Sequence, residues 1–141
     1  NAFLRLNSYG LESEFFEDAQ RVFRCFSPMF NQAGVSFCSM LSGLHFSLLR
    51  PKEVVISGRR GDAETEALLS EVRREFHPNT VIAFLEEGSS KLSEEIIPLA
   101  SGRPMLNGRA TAYVCQNQAC RLPVHTVEEF RELLDSSYFQ N

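Results

Sequence analysis

Pro51-Lys-Glu-Val-Val-Ile-Ser57 (PKEVVIS, residues 51–57) is where the period of the chain changes. Up to Arg50 the apolar residues recur at helical spacing. From Glu53 to Ser57 they form a short β-branched run, as expected of a strand buried on both faces. Downstream, Asp62 predicts the N-cap of a helix whose inner face is Leu68, Leu69, Val72 and Phe76. Pro78 follows it, and Thr80-Val-Ile-Ala-Phe-Leu85 is a second strand of the buried type. A short irregular helix is expected over residues 92–99, and Ser101 to Arg109, with two Gly and one Pro, predicts a loop. Thr111-Ala-Tyr-Val114 is a third strand, and Thr126-x-x-Glu129 has the spacing of a capping box opening a last helix. Phe130, Leu133 and Leu134 should face inward from that helix, with fraying after Asp135. The order β-α-β-α-β-α predicts a small three-layer α/β unit with a short parallel sheet and right-handed crossovers.

Upstream of Pro51 the reading is helical. Asn1 to Tyr9 predicts a helix closed by Gly10 in the left-handed conformation. Ser13 is a good N-cap for the next, whose buried face would be Phe15, Phe16, Ala19, Val22, Phe23 and Phe26. Pro28 should end or kink it. A third helix, from about Val35 to Leu49, is apolar nearly all round, and such a short helix wants burial on several sides. The chain thus divides into helices over 1–50 and an α/β domain over 51–141.

Composition narrows the classes of function. The 141 residues are 43% hydrophobic and 23% charged, with twelve Phe and no Trp, as in an ordinary globular protein. A net charge of −4 without a clustered basic face argues against nucleic-acid binding. No apolar run reaches the ~20 residues that span a bilayer, so no membrane partner is expected. The first residues lack a secretory pattern, and the chain opens without Met inside a helix-like pattern, as a piece of a longer polypeptide would. Four cysteines, at 25, 38, 115 and 120, make no disulfide framework, and Cys25 and Cys38 sit in helical apolar patterns where a thiol acts as a small buried hydrophobe. A reducing, cytoplasmic setting is expected.

Chemistry could reside in three places. Cys115 and Cys120 are five apart at the end of the third strand, with His125 close by in sequence. They read as packed thiols, as a disulfide or redox pair, or as half of a zinc site that would need two further donors. Gly58-Arg-Arg-Gly61 follows the first strand and opens a helix, an arrangement whose N–H groups and guanidinium groups attract anions, although Asp62 competes for the same N–H groups. His45, on the apolar third helix, reads as a core histidine or as an acid/base group facing a cavity completed by other helices. The chain carries no Walker loop, H-E-x-x-H helix or assembled Ser-His-Asp set, so no cofactor is called for.

Several stretches together resemble one family. The Phe15 to Phe26 helix, the Glu53-Val-Val-Ile-Ser-Gly58 strand, the Phe76-His-Pro-Asn79 turn and Thr111-Ala-Tyr-Val-Cys115 with Cys120 and Pro123-Val124 occur in that order. So arranged, they resemble the C-terminal part of the DUF255 proteins, a thioredoxin-domain-containing family of spermatogenesis-associated protein 20-like chains. The resemblance implies an N-terminal thioredoxin-like domain and an α/α toroid similar to N-acylglucosamine 2-epimerases and six-hairpin glycosidases. Residues 1–50 would then be the toroid's last helices and 51–141 its α/β appendage, an accessory region that is not catalytic by itself. Its partners would be the preceding domains of the same protein. The enzymatic alternative implied is a sugar isomerase or epimerase cavity to which His45 contributes.

Overall fold

Val54, Val55 and Ile56 are each at most 1% exposed, which requires cover on both faces of the strand that carries them. The computed structural model describes residues 1–11, 14–88, 96–117 and 119–136, and supplies that cover. Among the described residues, five α-helices surround a four-stranded sheet: α1 (Ala2–Ser8), α2 (Glu14–Ala33), α3 (Cys38–Leu49), β1 (Lys52–Gly58), α4 (Ala63–Arg74), β2 (Thr80–Glu86), β3 (Thr111–Gln116), β4 (Ala119–Cys120) and α5 (Val127–Asp135). Strand order is β2-β1-β3-β4. On one face Val54, Ile56, Ala112 and Val114 meet Leu68, Leu69 and Val72 of α4 and Phe130 and Leu134 of α5. On the other, Val55, Val81, Ala83, Leu85 and Tyr113 meet Leu4 of α1, Ala19 of α2 and Phe46 of α3, together with Leu99 and Ala100. The three layers expected from the sequence are present, and helices drawn from 1–50 make one of them.

The sheet is mixed. β1 and β2 pair in parallel across α4, as read from the sequence, but β3 runs antiparallel to β1. The reason lies in where the chain leaves β2. Glu86 lies opposite Gly58 and Thr111 opposite Ser57, so β2 ends and β3 begins at the same end of the sheet. The connection has no need to cross back, and β3 returns alone. β4 adds a hairpin to β3 that the sequence had not announced.

Local signals explain most element ends. Asp62 caps α4, its side chain accepting from the Thr65 N–H, and Thr126 caps α5 by accepting from the Glu129 N–H at 3.3 Å while donating its hydroxyl proton to the Glu129 carboxylate at 2.8 Å. Gly10 takes φ 85°, as a left-handed stop should. Ser13, and residues 92–95 of the helix expected over 92–99, fall outside the described residues.

Three expectations are corrected. Pro28 does not end α2, which continues to Ala33. Proline removes the N–H that would bond the carbonyl of Arg24, and the Ser27 hydroxyl donates to that carbonyl instead, at 3.0 Å. Phe76 leaves the inner face of α4 because the helix ends at Arg74 and Glu75 is extended, so the ring is 89% exposed. Cys25 and Cys38 are exposed, because α2 and α3 bury their sheet-facing sides and present the rest of their apolar surface outward.

Candidate functional site

Pairing in the β3–β4 hairpin sets the geometry of the two cysteines. The Arg121 N–H donates to the Val114 carbonyl, so the next pair inward, Cys115 and Cys120, is a directly opposed pair without mutual backbone hydrogen bonds. Such pairs stand closer than hydrogen-bonded ones. Their Cα atoms are 4.0 Å apart and the sulfurs are joined as a disulfide. Asn117, at φ 55°, supplies the left-handed residue that a tight hairpin turn needs. The two sulfurs differ in access: Cys115 is 1% exposed, whereas Cys120 lies on the surface.

A cation faces both sulfurs. Arg103 reaches in from the connection between β2 and β3, its Nη2 lying 3.4 Å from Cys115 Sγ and 3.6 Å from Cys120 Sγ. It is held from three sides. Nη1 donates to the Leu99 carbonyl, the Arg103 N–H donates to the Ala100 carbonyl, and its own carbonyl accepts from the Ser57 hydroxyl. Beside it the Tyr113 hydroxyl donates to the Pro104 carbonyl at 2.6 Å. Glu53 stands directly across from Cys115 in the β1–β3 register. Burial pushes the Glu53 carboxyl above its usual range while Arg103 draws it back, and burial likewise raises the Tyr113 phenol against the same opposing charge. No local motif pointed to Arg103, since a single arginine in a loop carries no periodicity.

His125 does not turn toward this bridge through Nδ1. That nitrogen lies 2.9 Å from the Ala110 carbonyl and 3.3 Å from Thr111 Oγ1, and since a carbonyl only accepts, Nδ1 carries the proton. With the sulfurs bonded to each other neither is a thiolate ligand, and among the described residues no group of three His, Cys, Asp or Glu gathers around a metal-sized gap.

The other candidates are separate. His45 is exposed rather than buried in the core, with Asn79 Nδ2 3.4 Å from its Nδ1, because it lies on α3 three positions from neither buried residue of its helix but beside one of them, Phe46. It opens on a shallow cleft with Arg5, Ser42, Phe76 and Asn79, in which no carboxylate takes part. In the Gly58–Gly61 loop, Arg59 pairs with Glu87 and Arg60 with Glu86. The Asp62 carboxylate takes the Thr65 N–H, and Glu66 lies 3.4 Å from the Gly61 N–H, so these donors are answered from within the chain. Gly58 is there for packing: a Cβ on it would lie 2.2 Å from Thr65 Oγ1.

Comparison with known proteins gives one group of relatives. Over 131 residues, 93% of this chain, the sequence is 30% identical to spermatogenesis-associated protein 20 of Homo sapiens and 28% identical to the proteins of that name from Mus musculus and Rattus norvegicus. The matched region is 17% of each relative's length. The resemblance drawn from the sequence is thus borne out at the level of those chains. No family model matches, and no solved structure does.

Proposed function

We propose that this relative of spermatogenesis-associated protein 20 is the C-terminal accessory region of a longer protein, and that α1 to α3 join its sheet to the helices of a preceding α/α toroid. A thioredoxin-like domain would lie further toward the N-terminus. The observation that carries this reading is the outward face of α2 and α3 with the turn between them. Phe16, Val22, Met29, Val35, Leu48 and Leu49 are all exposed, Val35 at 88% and Leu48 at 71%. Large apolar residues left exposed in such number on α2, α3 and the turn between them are what a surface that meets another protein surface would carry. The match to 17% of the relatives' length agrees with a chain whose neighbours lie elsewhere in the same protein.

The region supports the toroid in this reading and is not catalytic by itself. Leu48→Asp tests it in two settings. In the 141-residue chain the side chain is already in water, so stability should change by under about 0.5 kcal/mol. In the whole protein the same change should cost more than about 2 kcal/mol, because it removes a buried leucine and introduces a charge at a contact. Thermal unfolding of both proteins decides the matter, and equal, negligible effects in the two would leave the face as free surface and end this reading.

A further inference from the structure

We propose that Cys115 and Cys120 form a reversible dithiol–disulfide pair in which Cys120 is the sulfur attacked by an incoming thiol, Cys115 the leaving thiolate, and Arg103 the cation that receives it. The assignment stands on the hairpin and its neighbours and is independent of the accessory role of the helices.

Access fixes the direction of attack. Thiol–disulfide exchange needs an in-line approach to one sulfur while the other departs. Cys120 Sγ belongs to a surface residue of a two-residue edge strand, whereas Cys115 is enclosed in the sheet at 1% exposure. An incoming thiolate therefore bonds to Cys120 Sγ, the Cys115–Cys120 bond breaks, and its electron pair leaves on Cys115 Sγ. A second thiol of the donor then attacks the donor sulfur of the mixed disulfide. This releases Cys120 as a thiolate that takes a proton from water, and the donor departs as its own disulfide. Two electrons pass from two donor thiols to the protein's sulfurs. The co-reactant is a low-molecular-weight thiol or a protein dithiol, and a disulfide of the same class runs the sequence backward.

Leaving-group stability is the second requirement. A sulfur enclosed in apolar surroundings resists becoming an anion, while an adjacent guanidinium favours it. Arg103 Nη2, 3.4 Å from Cys115 Sγ, is placed to accept the departing charge without moving, since its other contacts already fix it. Among the described residues, the titratable groups placed at Cys115 include Glu53, across the β1–β3 pair, and Arg103 itself, with Tyr113 adjoining Arg103. Arg103 is the one cation among them. The zinc reading would use the same sulfurs only as two thiolates with two further donors, and no such set forms among the described residues.

Glutathione redox buffers read the equilibrium in the full chain, with alkylation and mass spectrometry of the tryptic peptide 110–121, which carries both cysteines and excludes Cys25 and Cys38. The pair should interconvert fully and reversibly across the buffer series. Arg103→Gln should need a buffer about tenfold more reducing to reach the same midpoint, which is ~30 mV for a two-electron couple. Arg103→Lys, which keeps the charge, should stay within about twofold of the parent. Should Arg103→Gln fail to fold, the single cysteine variants still decide. Cys115→Ser should take up glutathione at Cys120, while Cys120→Ser should leave Cys115 unmodified in the folded protein. A peptide that stays bridged in excess dithiothreitol while the protein is folded, an unshifted midpoint in Arg103→Gln, or a glutathione adduct at Cys115 would each overturn the proposal.

Discussion

At the scale of single residues, Gly58 and Thr65 pack with no room for a methyl group between them. Thr65 is 0% exposed, donates its hydroxyl proton to the Asp62 carboxylate at 3.3 Å and accepts the Arg59 N–H at 3.1 Å, so its side chain has nowhere to retreat from an added methyl group. A Cβ at Gly58 would meet Thr65 Oγ1 at 2.2 Å and Cγ2 at 2.7 Å. Gly58→Ala should therefore cost about 1–3 kcal/mol in urea unfolding, the range for overpacking a core. Gly58→Ala with Thr65→Ala should recover part of that loss, and a cost under about 0.5 kcal/mol for the single change would show that α4 can shift. Residue-scale features divide by range. Asp62, Thr126 and Gly10 were legible because capping and turn chemistry act within a few positions of the chain. His45, Phe76 and Arg103 were not. Exposure of the first two depends on where a helix stops or which side meets the sheet, and the third reaches its sulfurs through a tertiary return of the chain.

At the scale of elements, α4 and α5 share the face of the sheet that holds Phe130, and one ion-pair cluster joins them along the rim. Arg131 donates to both carboxylate oxygens of Glu71, at 2.8 and 2.9 Å, and Arg74 donates to the same carboxylate at 3.2 Å. The hydrogen bond from Arg131 is the main reason that the Glu71 carboxyl sits below its ordinary range. A carboxyl with a depressed folded-state pKa contributes stability that is present above its unfolded value and is lost as pH falls through the folded one. Unfolding midpoints should therefore drop on acidification below about pH 4.3, the ordinary Glu value. Glu71→Gln should lower stability at neutral pH and flatten that acid limb, and equal acid limbs in the two proteins would assign the loss to other carboxylates. Element identity was largely readable, because helical and strand periods differ over five or more residues. The direction of β3 was not. It depends on which end of the sheet the chain occupies after β2, and no property of Thr111 to Gln116 encodes that. That α2 continues past Pro28 is the opposite case, since the residue that answers the lost bond, Ser27, is an immediate neighbour in the chain.

At the scale of the whole molecule, the change of period at Pro51 is also a seam crossed by the second core. Leu4, at 3% exposure, and Phe46, at 2%, pack on Val55, Val81 and Tyr113. Arg5 adds donations to the carbonyls of Pro78 at 2.7 Å and Thr80 at 3.1 Å, and Gln116 donates to the Arg50 carbonyl at 2.7 Å. Burying a leucine and a phenylalanine is worth about 1.5–3 kcal/mol each, a large share of the roughly 5–15 kcal/mol that holds a domain folded. A chain begun at Pro51 should accordingly aggregate or give a poorly dispersed amide spectrum. A soluble 51–141 with a dispersed spectrum would show that the sheet stands without its helical layer.

The central position of β1 also bears on the order in which the protein can be made. A ribosome delivers β1 first, β2 after one helix, and β3 only when Thr111, more than fifty positions beyond its partner Ser57, has emerged. Until then β1 offers a bare edge of apolar backbone on its β3 side, the kind of edge to which foreign strands attach. Closing so long a loop costs more chain entropy than closing the β1–α4–β2 unit, so the parallel pair forms early and the antiparallel strand arrives last. The hairpin with the two cysteines comes with that last strand, and its bridge can close only on a sheet whose other half already stands.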